Sequence, residues 1–323
     1  MSISTTDPSS LSSSPSSPSS PSSPSLPPLT GELGVPQMAE RTKVTLTGVT
    51  ETLLIPLVGR AVDATTQSPI LADPYAKGVV EKLDYEFGKL PMPPTHAAGV
   101  ALRTRFYDRW TSAFLASHSH ATVLHLACGL DSRNQRVEWG ANVRWIDVDL
   151  PEVVALRGQV LPTSLPGQDY RLVAADITDD AWLEAIPTDR PVLVVMEGLV
   201  SYLQPEQATG LLKRLVEQLK EGELHFDSMN TTVLLASRKD PNAAVSQTGS
   251  VFKWAVDDLK DVEKIHPHLR LIEVIRYVEA PGVEEFPLLS RIGYYMLSWV
   301  PSFRDGVRFV RFGFSGDVRA DSG

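Results

Sequence analysis

Between Val123 and Arg133 an apolar run gives way to small residues, Ala127-Cys128-Gly129, and then to Leu130-Asp131-Ser132-Arg133. About twenty residues on, a second apolar run ends in Asp147-Val148-Asp149-Leu150-Pro151, the spacing at which α/β folds pair a ligand-cradling turn with an acid. A strand, a tight turn that lets backbone approach a ligand, and a second strand ending in a carboxylate together suit a nucleoside. Ala127 and Gly129 keep the turn free of side-chain bulk. Asp149 can accept hydrogen bonds from both ribose hydroxyls, and it can also cap the helix that Pro151 opens. The dinucleotide pattern GxGxxG is absent. Asp147, two residues earlier on the same side of the strand, reads as support for the loop.

Glu197 closes another apolar strand, where an uncompensated carboxylate is costly and a cationic ligand would offset the cost. Arg103 sits on a helix, ordinarily the place of a solvated charge. Arg105 and Asp108, three residues apart, read as a surface ion pair. Cys128 is the single cysteine. It reads as a small buried hydrophobe rather than a nucleophile. His125 and His225 fall within expected strands and read as core, while His96 is a weak candidate base.

These residues need elements to hold them. From Thr50 to Leu115 the pattern is mostly helical, with interruptions expected at Pro56, Pro69 and Pro74 and a long helix from near Thr95 to Ser117. In that helix Val100, Phe106, Trp110 and Phe114 fall at near-helical spacing. Strands are expected near Thr122–Ala127, Val143–Val148, Tyr170–Ala174, Pro191–Met196 and Glu223–Ser228, with helices between them. Thr178-Asp179-Asp180 is expected to cap a short helix. Gln204-Pro205-Glu206 opens a longer one that Gly222 should stop. The alternation predicts an α/β fold, a mainly parallel Rossmann-like sheet covered on both faces. Leu271–Val278 and Val307–Phe314 read as a closing pair of strands without a crossover helix. The expected organisation is a Ser/Pro-rich disordered tail over 1–40, a helical cap over 41–121, and a ligand-binding core over 122–323.

The chain has 323 residues, enough for one large α/β domain with a cap. Its formal net charge of -9, with no dense basic run, argues against nucleic acid or an anionic membrane as the main partner. One cysteine excludes an intramolecular disulfide and a Cys-rich metal site, so no metal is expected. Neither a signal peptide nor a spanning helix is legible, and the expected compartment is the cytoplasm. The oligomeric state is not legible.

Several blocks, taken in order, resemble the leucine carboxyl methyltransferase superfamily, and within it the tetracenomycin-type polyketide O-methyltransferases. They are Glu51-Thr52-Leu53-Leu54-Ile55-Pro56-Leu57, Pro69-Ile70-Leu71-Ala72-Asp73-Pro74, and Leu102-Arg103-Thr104-Arg105-Phe106 with Asp108. Leu130-Asp131-Ser132-Arg133, Val148-Asp149-Leu150-Pro151-Glu152-Val153, Glu197-Gly198-Leu199-Val200-Ser201-Tyr202-Leu203 and Phe252-Lys253-Trp254 continue the series. The likeness spans roughly residues 50–314, and the antiparallel last strand fits the methyltransferase version of the sheet.

The resemblance implies S-adenosylmethionine (SAM) as methyl donor. It places Arg103 at the methionine carboxylate, Asp149 at the ribose, Asp176 and Ile177 at the adenine, and Glu197 near the methionine amino group. The family's loop usually reads Gly-Ala-Gly, so Ala127 is a departure. If the backbone there turns left-handed, alanine adds strain of about 1–2 kcal/mol. Tyr202, just past the fourth strand, lies where acceptors enter this fold and is the candidate catalytic residue, weighed evenly against a ring packed under the next helix. Trp254, Tyr294, Tyr295 and Trp299 read equally as an aromatic acceptor pocket or as core. A small-molecule carboxylate or hydroxyl is the expected acceptor. Two alternatives stand beside it: a protein C-terminal carboxyl group, and a SAM-fold protein that binds without turnover.

Overall fold

A computed structural model describes residues 41–162, 167–240 and 244–316. The expectation of a disordered tail over 1–40 falls outside the described residues. The main sheet has seven strands: β1 Thr122–Leu126, β2 Arg144–Asp149, β3 Asp169–Ala174, β4 Val192–Met196, β5 Glu221–Met229, β6 Leu269–Arg276 and β7 Val307–Ser315. Their order across the sheet is β3-β2-β1-β4-β5-β7-β6. The first five run parallel, and β7 is antiparallel to both its neighbours. The sequence reversal between β3 and β4 puts the central crevice beyond the carboxyl ends of β1 and β4, where open α/β sheets bind ligands.

Alternation along the central strands explains their continuous apolar runs. Leu124, Leu126, Val194 and Met196 face one layer, while Val123, Leu193 and Val195 face the other. A parallel strand covered by helices on both faces must be apolar on both. Helix α1 (Leu54–Asp63) lies in the cap, and helix α2 (Pro94–Ser117) runs under one face of the sheet. Helix α3 (Pro151–Val160) follows Asp149, and helix α4 (Pro205–Leu219) covers the other face. Phe106, Tyr107, Trp110 and Phe114 of α2 pack with Trp145 and Phe309 of the sheet. A smaller cluster joins Leu54 and Leu57 to Leu83, Val153 and Leu156.

Three local expectations need correction. Pro56 does not interrupt α1: it sits in the first turn, where its missing N–H has no helical partner to lose. The short helix Ala181–Glu184 begins at Asp180 without a side-chain cap, the Asp180 carboxylate pairing with Arg214 at 3.0 Å while Asp176 takes the Thr178 N–H and hydroxyl. At the end of α4 it is Lys220, at φ 65°, that turns left-handed; Gly222 already belongs to β5. Gln204 and Gln207 form a reciprocal capping box at the start of α4.

Candidate active site

The turn after β1 carries the backbone geometry that the small residues foretold. Ala127 has φ 50° and Gly129 φ 51°, both in the left-handed region. A side chain on Gly129 would place its Cβ 3.2 Å from that of Leu53, so the cap closes over the turn tightly. The Asp149 carboxylate braces the turn from the neighbouring strand, accepting from Gly129 N–H at 2.7 Å and from Leu150 N–H at 2.8 Å. Burial pushes its carboxyl up from the usual value, against the pull of those two N–H groups. Behind it, Arg157 of α3 donates to the carbonyls of Gly129 and Asp131 and to Asp147 at 2.6 Å. Asp147 also accepts from Trp145 Nε1 and the Tyr170 hydroxyl, the supporting role its position suggested. Cys128 is buried, and burial raises its thiol, which suits packing and not attack.

Beyond the end of β4, Glu197 is gripped from two helices. Arg103 Nε and the Thr104 hydroxyl of α2 reach Oε1 at 2.8 and 2.9 Å, and Arg133 Nη2 reaches Oε2 at 2.5 Å. Burial alone would raise the Glu197 carboxyl, but the Arg103 and Arg133 guanidiniums overcome it and hold it below the usual carboxylate range. The expected compensation by a cationic ligand is therefore supplied in part by the chain's own arginines. The Arg103 side chain remains partly accessible, with its outer nitrogens against Gly198. Arg133 is wholly enclosed and also pairs with Asp108 and Asp131. Arg136 pairs with Asp73, Asp108 and Asp131, and Arg60 joins Asp73 from the cap. This network explains the motif blocks at Asp73, Asp108 and Asp131: they fasten cap, α2 and loop to one another. The Arg105–Asp108 pair expected from spacing does not form, because Asp108 faces those arginines and Arg105 turns to Glu285 at 2.9 Å.

Sequence reasoning missed Arg133, Asp227 and Tyr107. Asp227, near the end of β5, accepts the Gly198 N–H at 2.6 Å; burial raises its carboxyl, with Arg103 pulling it down. The Tyr107 hydroxyl is enclosed without a hydrogen-bond partner and feels the charges of Asp227, Glu197 and Arg103. An acid inside the apolar run Leu224-His225-Phe226-Asp227 was the one available signal. Arg133 gave none, since its partner Glu197 is 64 residues away.

Asp176 and Ile177 follow β3, the acid exposed and the isoleucine buried in the core under α4. The Tyr202 ring lies 4.8 Å from Phe252, and burial pushes its hydroxyl up to about 12. The aromatic quartet does not assemble. Trp254 belongs to the core beneath β4 and β5, and Tyr294 packs on Tyr277 and Phe286. Tyr295 and Trp299 face solvent. His125 and His225 are core residues as expected, while His96 is exposed.

These features fit SAM. A left-handed turn with little bulk, a buried acid at the next strand end, and an arginine beside a glutamate match nucleoside and amino-acid zwitterion in turn. Among the described residues no cluster of metal-ligating side chains occurs, and no helix is long and apolar enough to cross a membrane.

Comparison with known proteins gives the family and the fold. The family model of leucine carboxyl methyltransferase matches residues 54–216. The tetracenomycin polyketide synthesis O-methyltransferase TcmP of Streptomyces glaucescens is 35% identical over 272 residues, 84% of this chain and 98% of that protein. The S-adenosyl-L-methionine-dependent methyltransferase dpfgK of Gibberella zeae is 37% identical over 250 residues, covering 72% of this chain and 84% of its own. Among solved structures, a DUF574 family protein from Streptomyces avermitilis superposes with a TM-score of 0.52 at 14% identity, covering 80% of this chain and 97% of that one.

Proposed function

Because the chain belongs to the leucine carboxyl methyltransferase family and is a SAM-dependent O-methyltransferase, we propose that it methylates a carboxylate or hydroxyl oxygen of a polyketide-like small molecule. The observation that carries the reading is the double brace of the crevice. Asp149 holds the turn on one side, and the Arg103–Glu197 pair stands on the other. Arg103 offers its outer nitrogens to the methionine carboxylate, and Glu197 offers negative charge to the adjacent ammonium. Asp149 receives the ribose hydroxyls, Ala127 and Gly129 give the cofactor room, and Asp176 with Ile177 borders the adenine. When bound, SAM supplies a methyl group already attached to a good leaving group.

The chain's part in the reaction is to orient and to exclude water. Holding an acceptor oxygen in line is worth on the order of 7–11 kcal/mol. Tyr202 positions the acceptor from the end of the single 3-10 turn Val200–Tyr202. With its hydroxyl raised it donates a hydrogen bond at neutral pH and does not act as a base. A carboxylic acid, ordinarily near pKa 4, arrives ionised and needs only such positioning, whereas a phenol near pKa 10 needs help to lose its proton. The carboxylate is the acceptor that asks least of these residues.

Calorimetric titration of SAM into the wild type and Asp149→Ala tests the cofactor half of the proposal: binding should be lost in the variant. Turnover with aromatic acids and phenols tests the acceptor half. Product that releases methanol in alkali is an ester; product that survives is an ether and removes the carboxylate preference. Tight binding without turnover on any small acceptor would overturn the small-molecule reading.

A further inference from the structure

Helix α5 (Leu288–Ser298) crosses between β6 and β7, and helix α6 (Pro301–Arg304) follows it. One face of α5 is anchored: Tyr294 stacks edge-on against Tyr277 and Phe286, and Ser290 meets Thr95 of α2. The opposite face is apolar and open. Leu288, Leu289, Ile292, Tyr295, Met296 and Trp299 all lie on it, Leu289 84% and Trp299 74% exposed. At 3.6 residues per turn these six fall within an arc of about 120°. A helix that is apolar on two opposite faces is one whose second face is meant to be covered.

We propose that a second copy of this chain covers it, through a two-fold contact between antiparallel α5 helices. Area is the first argument. With Val300 and Phe303 the face exposes on the order of 600 Å² of apolar side chain, at the top of what a monomer's largest patch shows and close to the ~800 Å² per partner of a stable interface. Self-complementarity is the second. An antiparallel pairing sets Trp299 of each copy opposite Leu288 and sets Ile292 opposite Tyr295. Those same residues, Leu288, Ile292 and Tyr295, line one side of a cleft of about 470 Å³ whose other wall includes Val278 and Ala280. Each copy thus presents both an indole and an apolar cleft to receive one, as an isologous contact requires. The cleft rim carries Glu279, Glu284 and Arg291, so opposite charges are available on both sides of the contact. The same acids, on a chain of net charge -9, count against an anionic lipid surface as the occupant.

Sedimentation velocity on the full chain, over a range of concentrations, tests the proposal together with Trp299→Asp and Ile292→Asp. The wild type should sediment as two chains. Each variant should lose dimer affinity by on the order of thirtyfold or more while keeping its circular dichroism and thermal melt. A wild type that stays monomeric overturns the proposal, as does a dimer indifferent to both substitutions. Flotation with phosphatidylcholine vesicles distinguishes the remaining occupant: a monomer that floats through Trp299 assigns the face to lipid and rejects the second copy.

Discussion

The Arg103 guanidinium and the Glu197 carboxylate meet at 2.8 Å, Nε to Oε1, and so join helix α2 to the carboxyl end of β4. The other carboxylate oxygen is taken by Arg133, which has no solvent exposure at all. Removing the negative charge from between two arginines, one of them wholly enclosed, leaves a buried cation short of a partner. Glu197→Gln should therefore cost about 3 kcal/mol in urea unfolding at neutral pH. Because its folded value lies below the usual range, Glu197 stabilises the native state above its unfolded value, near 4.3, and that contribution fades as pH falls through the lower folded value. The gap between wild type and Glu197→Gln should accordingly be full at neutral pH and shrink in strong acid. A gap that stays constant from neutral to acid pH would contradict the assignment.

Ala127 sits at φ 50°, a region that costs an alanine about 1–2 kcal/mol and a glycine nothing. Glycine also loosens the unfolded chain by about 0.4–1 kcal/mol, which offsets part of the relief. Ala127→Gly should stabilise by at most about 1.6 kcal/mol, a rise in melting temperature of no more than about 6 °C. Ala127→Val, branched at the same angle, should lose more than about 2 kcal/mol. Differential scanning calorimetry of the three proteins orders them; a glycine variant less stable than the wild type would mean that the alanine methyl packs better than its backbone suffers.

The parts of this site legible in sequence are those written in local pattern. Asp149 was visible because a strand, its end and the following Pro151 lie within a few residues, and Ala127 and Gly129 because a turn demands small residues. Glu197 was visible as an acid closing an apolar run, but its partners were not. Arg103 and Arg133 come from elements 94 and 64 residues away, and nothing in their own neighbourhoods says which acid they seek. The Arg105–Asp108 reading failed for the same reason, since spacing permits a pair while tertiary competition decides it. Pro56 shows the reverse case, in which a local rule was applied without its exception for the first helical turn.

Tyr202 packs on Phe252, and burial holds its hydroxyl protonated, pushed up to about 12. In the role proposed for it, the group contributes a hydrogen bond to the acceptor and nothing to SAM. Tyr202→Phe should leave SAM affinity within about twofold and lower kcat/KM by about tenfold, the worth of one hydrogen bond near 1.4 kcal/mol. The pH profile should keep its shape. Steady-state kinetics across pH decide the matter: an unchanged kcat/KM would return Tyr202 to packing, and a lost alkaline or acid limb would make it a proton carrier.

Asp149 carries a carboxyl raised by burial and serves best as an acceptor when ionised. In the free protein it takes up a proton at a higher pH than an ordinary aspartate, and in the role proposed for it the ribose hydroxyls favour the ionised form. SAM binding should therefore expel that proton on the acid side. Affinity should rise with pH through the raised value and then level off toward neutrality. Asp149→Asn, which cannot ionise, should bind weakly at every pH and remove the rise. For stability the sign is opposite: burial disfavours the charge in the fold, so the empty protein loses some stability as pH climbs from the unfolded value, near 3.9, to the raised one. Added SAM should restore it. Calorimetric titrations in buffers of different ionisation enthalpy count the proton directly, and a pH-independent affinity in the wild type would show that Asp149 does not meet the ribose.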